Sequence, residues 1–271
     1  MFCRFFAFSL VFAGLPLHAR AACPAGPAFT HIVDGGGWKT SFYLLNQSGA
    51  DADYTLFFRD DAGKPTILHF TDGRADNQVS GTIPAGGISI LETTGKDADA
   101  LYGASATLKS AAPEAVTGFT ILRERVKGGA DFETSVPLLP ASAGTWSIPF
   151  DNSSGFSTGI AVAVSCSGQG LAPVSVVAFD ESGKQIGKAS VRLPSGGHSA
   201  FLVADQLPAS RDKRGVIRIS CDKPASIPFS AIGLRFAPSG ALAALPPAVP
   251  ENRAPAAPRM SARKAPARRA H

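Results

Sequence analysis

Charged residues, aromatic residues and long hydrophobic stretches are all in short supply in this chain. Charged residues make up 17% of its 271 residues, and aromatic residues make up 8%. The one extended apolar stretch runs from Phe5 to Leu15, and its 11 residues fall short of the ~20 that a membrane-spanning helix needs. The sequence therefore predicts no transmembrane helix.

Histidine is scarce as well, and no two histidines have the spacing of a metal site. Beyond residue 21 the histidines are His31, His69, His198 and His271. No pair is two or four residues apart, so no single strand or helix presents two metal ligands. We expect each of these histidines to be a surface or turn residue, and we predict neither a metal nor a cofactor.

Cysteine is rare, and beyond residue 21 it occurs only as Cys23, Cys166 and Cys221. Cys166 shares strand parity with Val164, and Cys221 shares it with Ile219, so both thiols point to the apolar side of their strands. In an oxidising compartment this arrangement predicts a disulfide between Cys166 and Cys221. Two separately buried thiols remain the alternative.

The N-terminus has the pattern of an export signal. Arg4 supplies a positive charge, the apolar stretch follows it, and Ala19-Arg20-Ala21 fits the small-x-small rule for cleavage. We therefore expect a cleaved signal peptide over residues 1–21 and an exported protein that is periplasmic, at the cell surface or extracellular. Lipidation of Cys23 stays open, although Arg20 stands where that motif has an aliphatic residue.

Glycine and proline, by contrast, are plentiful, at 28 and 21 residues, and they divide the chain into short alternating segments. Three segments in the first half share their pattern with three segments in the second half. Residues 37–46, 54–64 and 83–90 correspond to residues 155–164, 176–184 and 193–200, at offsets of 118, 120 and 110 residues. The chain thus contains an internal repeat of one module. We predict an all-β fold of two tandem immunoglobulin-like β-sandwich repeats over residues 28–138 and 145–246, with a linker over 139–144.

Two short motifs within the repeats have catalytic or metal-binding precedents. Residues 155–159 match G-x-S-x-G, which acts in hydrolases at a strand-to-helix turn, but a strand pattern follows here, and the first repeat has Lys39 in place of Ser157. The Asp-x-x-Gly segments at 60–63 and 180–183 offer oxygen atoms to calcium, yet the same residues suit a tight hairpin turn. We predict no catalytic residue, and a hydrolase is the remote alternative.

The basic charge of the chain is concentrated in its last 25 residues. Residues 247–271 carry six of the Lys and Arg residues and one Glu, in a chain of net charge +5. They are rich in Pro and Ala and offer little to bury, so we predict a disordered tail. Outside the cytoplasm its cations could contact an anionic envelope surface, and we expect no nucleic-acid partner.

A resemblance rests on the order of these structural motifs. Asn46 at a strand end, the Asp-x-x-Gly closing turn, the strand entry at residues 83–87 and the segment 118–123 follow one another in the first repeat. This order resembles a group of uncharacterised exported bacterial proteins with tandem β-sandwich repeats. More loosely, it is similar to bacterial cell-adhesion-type and immunoglobulin-like surface modules. The resemblance implies a fold and an extracytoplasmic setting, and no catalytic residue comes with it.

We therefore expect a non-enzymatic module for adhesion or assembly, whose partner is an envelope polymer, an extracellular polymer or another protein. The alternative is a carbohydrate-binding protein with an exposed aromatic face, for which Trp38, Tyr43 and Phe156 are the candidate ligand-binding residues. Trp38 and Phe156 also suit the role of a plug at the end of a sandwich. Exposure of Trp38, Tyr43, Tyr54 and Tyr102 on one open surface would favour the carbohydrate alternative.

Overall fold

The computed structural model describes residues 26–95, 101–166, 170–221 and 227–248, and within them the fold is all-β. The predicted signal peptide and residues 249–271 of the predicted tail lie outside the described residues. The strands are β1 (Ala28–Asp34), β2 (Trp38–Asn46), β3 (Ala52–Arg59), β4 (Leu68–His69), β5 (Ala75–Asp76), β6 (Gln78–Ile83), β7 (Ile88–Glu92), β8 (Tyr102–Ser110), β9 (Val116–Glu124), β10 (Phe132–Pro137), β11 (Trp146–Asp151), β12 (Ser157–Val164), β13 (Leu171–Asp180), β14 (Gln185–Pro194), β15 (His198–Leu202), β16 (Arg214–Cys221), β17 (Phe229–Phe236) and β18 (Leu242–Leu245). Between β15 and β16 lie a short helix α1 (Val203–Gln206) and a 3-10 turn (Pro208–Ser210).

The strands form four antiparallel four-stranded sheets and one small two-stranded sheet, β4-β5. The first half of the chain, β1 to β10, contributes the sheets β1-β8-β3-β6 and β10-β9-β2-β7. The second half, β11 to β18, contributes β11-β16-β13-β14 and β15-β12-β17-β18. When β4 and β5 are set aside, the eight strands of each half pair in the same order.

The Asp-x-x-Gly segments occupy the same place in both halves, at the C-terminal ends of β3 and β13. In each, the first Asp and the Lys four residues later share a backbone hydrogen bond, 3.0 Å for Asp60 and Lys64 and 2.9 Å for Asp180 and Lys184. The Asp side chain also accepts the Lys N–H, at 2.8 and 3.0 Å. Gly63 and Gly183 both have positive φ, at 72° and 79°, which explains the glycine.

Each pair of sheets encloses a hydrophobic core, because alternate residues of the strands point inward. In β2, for example, Phe42 and Leu44 are fully buried between neighbours that are only half-buried. Phe42 lies at the centre of the first core, 5.5 Å from Phe29 and 5.8 Å from Phe58 between ring centroids. The second core is built around Trp146 and Phe229.

The second core extends into the first half of the chain. Val33, Leu122 and Val136 are buried in the same cluster as Trp146. The predicted linker is tied to both halves, since Leu139 exchanges backbone hydrogen bonds with Ala28, and Ser142 does so with Phe229. The two halves therefore share a packed junction.

The predicted tail begins as ordered chain. The backbone N–H of Ala248 donates to the carbonyl oxygen of Ser147 on β11 at 2.8 Å, and Pro247 is buried. Residues 247 and 248 thus lie along the edge strand β11, and disorder of the tail beyond them stays a prediction.

Candidate functional site

A β-bulge in β1 directs two side chains from the first half onto the second. Phe29 pairs with Ala106 and Ile32 pairs with Ala104, so two residues of β1 stand opposite one residue of β8. Those two residues are Thr30 and His31. Thr30 Oγ1 donates to Ser230 Oγ at 2.8 Å, and His31 Nδ1 lies 3.1 Å from His198 Nε2.

His198 is also hydrogen-bonded to a carboxylate, so the side chains of His31, His198 and Asp61 form one hydrogen-bonded row across the junction. His198 Nδ1 lies 2.7 Å from Asp61 Oδ1. His31 and His198 are 8% and 1% exposed, whereas the side chain of Asp61 is 71% exposed. The imidazole rings lie within 17° of parallel, with centroids 5.2 Å apart.

When both imidazoles are neutral, this row of hydrogen bonds fixes their tautomers. An ionised carboxylate only accepts, so His198 Nδ1 donates to Asp61. His198 Nε2 is then an acceptor, and His31 Nδ1 donates to it. His31 Nε2 is left as a hydrogen-bond acceptor, and no described residue contacts it with a hydrogen bond.

Burial keeps His31 neutral. The pKa of His31 is lowered from 6.5 to about 3, chiefly because burial removes water from the charged form. A protonated His198 contributes to this lowering of the pKa, and the Asp61 carboxylate opposes it. The expectation of surface or turn histidines is thus wrong for His31 and His198, although His69 is exposed as expected.

One sequence signal could have singled out His198. It stands at the first position of β15, where the first repeat has Ile88 at the first position of β7. A histidine in place of an isoleucine at an equivalent strand position indicates a changed environment. The pairing with His31 had no such signal, because 167 residues separate the two.

The turn that carries Asp61 packs closely on the second half. A Cβ atom placed on Gly63 would lie 2.3 Å from the carbonyl oxygen of Ser195, in the turn between β14 and β15. Arg59 Nη1 donates to the carbonyl oxygen of Gly63 at 2.8 Å. These contacts hold Asp61 in front of His198.

An apolar cleft of about 240 Å³ lies beside His31. We call it the junction cleft. Besides His31 its lining consists of residues from β12, β15 and β17, namely Gly159, Ile160, Ala161, Ala200, Phe201, Leu202, Leu234 and Phe236.

The outward side of the sheet β10-β9-β2-β7 is a second candidate surface. Tyr43 pairs with Ile90 on one side and with Phe119 on the other, and Phe119 pairs with Pro137. This row of four apolar residues crosses the whole sheet. The Tyr43 and Phe119 rings stack at 4.9 Å, and Ile90 is 55% exposed. We call the surface formed by Tyr43, Leu45, Ile88, Ile90, Phe119 and Ile121 the open face.

Charged residues border the open face at one end. Glu92 lies 3.7 Å from Lys39 and 3.4 Å from Arg123, and Arg123 also lies 3.5 Å from Glu133. All four are partly exposed, so each pair contributes little to stability. Their opposite charges largely cancel, which leaves the apolar rows as the main feature of the surface.

The predicted ligand-binding residues do not form one aromatic platform. Trp38 is half-buried and packs against the second core, as a plug would. The Phe156 ring is covered by the guanidinium of Arg235, whose carbon lies 3.5 Å from the ring centroid. Tyr43 is on the open face.

The carbohydrate alternative also requires Tyr54 and Tyr102 to lie on the same open surface as Tyr43, and they do not. Tyr54 is only 4% exposed, and its hydroxyl lies 2.9 Å from Ser89 Oγ. Tyr102 is 48% exposed, but it belongs to β8, in the other sheet from Tyr43. Trp38, Tyr43, Tyr54 and Tyr102 therefore do not share one open surface.

The predicted disulfide between Cys166 and Cys221 is absent, since Cys221 is a free thiol at the end of β16. Cys166 is not free, but its partner is not Cys221. Strand parity predicts which side of its own strand each thiol faces. It does not predict the distance between the two strand ends.

The motifs with catalytic or metal-binding precedents take structural roles. Ser157 opens β12 and pairs with Phe236, so the G-x-S-x-G segment leads into a strand. Within the described ranges, no group of three or more His, Cys, Asp or Glu side chains is placed to hold a metal. No helix in the described part of the chain is long and apolar enough to cross a membrane.

Comparison with known protein families, curated proteins and solved structures gave no match to this chain.

Proposed function

We propose that the chain is a non-enzymatic exported binding module for adhesion or assembly, built from two tandem immunoglobulin-like repeats, and that the open face is its contact surface. The observation that carries this proposal is the apolar row Ile90, Tyr43, Phe119 and Pro137 on an outward sheet face. A solvated face of an antiparallel sheet normally carries polar residues. An exposed apolar patch is typical of an interaction surface.

The second half supports the proposal because the first half covers the centre of its equivalent face and leaves only the edge position Ala200 exposed. There Ala161 pairs with Ala200 and Ile232, in the register positions of Tyr43, Ile90 and Phe119. Strand β1 of the first half packs on β12 and β17, and Ala161 and Ile232 are 2% and 0% exposed. The same face in the first half has no covering element among the described residues.

The test compares Ile90→Lys with Val216→Lys in the full-length exported protein. Both residues are exposed, at 55% and 37%, and both changes add one positive charge, but Val216 lies on β16 in another sheet. Burying an unpaired ammonium in an apolar contact costs several kcal/mol, so we expect Ile90→Lys to weaken binding about tenfold or more. Val216→Lys should leave binding unchanged.

Two readouts distinguish adhesion from assembly. Retention on isolated cell envelopes measures adhesion, and sedimentation velocity over a range of protein concentrations measures self-association. Both are run at 0.1 and 1 M salt, where the Debye length falls from ~10 to ~3 Å. An apolar contact should persist at high salt, whereas attachment through the basic tail should weaken. Equal behaviour of the two variants in both assays would contradict the role of the open face.

A further inference from the structure

The junction cleft combines a floor of small residues with walls of large ones. Gly159 and Ala161 from β12 and Ala200 from β15 form neighbouring positions of the sheet, and Gly159 and Ala161 pair directly with Leu202 and Ala200. Leu202 and Leu234 stand on either side of Gly159. Small floor residues between leucines leave a space that the protein itself does not fill.

His31 supplies the cleft with a polar group. The residue is 8% exposed and lines the cleft, and its Nδ1 is used by His198. Its Nε2 has no hydrogen-bond partner among the described residues, and it is not one of the fully buried polar atoms that lack one. It therefore keeps contact with solvent, and the row from Asp61 leaves it as an acceptor.

We propose that the junction cleft binds a small neutral ligand that consists of an apolar ring with one hydroxyl group, and that this hydroxyl donates to His31 Nε2. The volume of about 240 Å³ lies below the usual ~300–1,000 Å³ of small-molecule pockets, which suits a single ring. An apolar lining with one placed polar group is the usual pattern of such sites. This site is separate from the open face, so it does not depend on the function proposed above.

The test uses p-cresol and toluene as probes of the full-length protein. The two molecules differ by one hydroxyl, so their affinities isolate the hydrogen bond. A net hydrogen bond contributes ~1 kcal/mol, so p-cresol should bind about fivefold more tightly than toluene. Binding is followed by NMR, through saturable shifts of the backbone amides of Gly159, Ala161 and Ala200.

The cleft is blocked by Ala200→Leu, with Ala243→Leu as its matched control. Both alanines are exposed and belong to edge strands of the same sheet, but Ala243 does not line the cleft. Ala200→Leu should weaken both probes about tenfold, because the leucine side chain takes the space of the ring. Ala243→Leu should leave both affinities unchanged.

Asp61→Ala tests the hydrogen-bonded row without filling the cleft. Asp61 is mostly exposed, so its loss should not prevent folding. Without the carboxylate His31 Nε2 is no longer held as an acceptor, and the preference for p-cresol should fall from about fivefold toward twofold, while toluene affinity stays the same. Equal affinities for the two probes, an absence of saturable shifts at the three amides, or no effect of Ala200→Leu would overturn the proposal.

Discussion

Protonation of His31 should make the folded protein less stable as the pH falls. In the folded state the pKa of His31 is about 3, whereas an unfolded histidine has its ordinary pKa of 6.5. Between these values the unfolded chain binds more protons than the folded one. The free energy of unfolding therefore falls with decreasing pH across this window, and it is unaffected by His31 above it.

The size of the effect follows from the two pKa values. Each pH unit inside the window changes the free energy of unfolding by ~1.4 kcal/mol. From pH 6 to pH 4 the loss due to His31 alone is about 2 to 3 kcal/mol, since the histidine is partly protonated in the unfolded chain already at pH 6. Such a loss is a large part of the 5–15 kcal/mol typical of whole domains.

The assay is equilibrium urea unfolding at several pH values between 8 and 4, followed by circular dichroism. His31→Gln removes the titrating group, and His69→Gln removes an exposed histidine as a control. Carboxylates titrate in all three proteins alike, so the difference in slope reports His31 together with its hydrogen-bonded neighbour His198. His31→Gln should flatten the decline between pH 6 and pH 4 by about 2 to 3 kcal/mol relative to the other two. An identical slope in all three proteins would refute the buried neutral state of His31.

Two further predictions concern the junction and the free thiol. Gly183→Ala should lower the free energy of unfolding by ~1 kcal/mol, because the φ of Gly183 is 79° and its surroundings are open. Gly63→Ala should lower it by ~1–3 kcal/mol more, because Gly63 has a similar φ of 72° and its new Cβ would lie 2.3 Å from the Ser195 carbonyl oxygen. Urea midpoints measure the difference, and equal losses of stability would contradict the close packing at the junction. Cys221 should be alkylated by iodoacetamide in non-reduced, urea-unfolded protein, as seen by a mass shift on its peptide, and a Cys166–Cys221 linked peptide would contradict the free thiol.

Features fixed by local chemistry were predictable from the sequence. The turns after Arg59 and Phe179 followed from Asp-x-x-Gly, because the carboxylate and the positive-φ glycine act within five residues. The inward positions of Phe42 and Leu44 followed from the alternation along one strand. Both depend on neighbours in the chain.

Features fixed by the packing of one half on the other were not predictable in the same way. Parity indicates which side of its sheet a residue such as His198 faces, but not that β1 covers that side. The bulge at Thr30 and His31 adds to the difficulty, because it breaks the alternation of β1 where the contact is made. Cys221 shows the same limit, since parity gave its direction and not its distance from Cys166.

The shared second core changes what a fragment of this chain would be. Val33, Leu122 and Val136 belong to the first half in sequence, yet they are buried around Trp146. A recombinant fragment that starts at residue 145 would lack part of its own hydrophobic core and would expose Ala161 and Ile232 to water. A boundary drawn through the linker is therefore a cut through a single packed body, and studies of either half alone would describe a damaged protein.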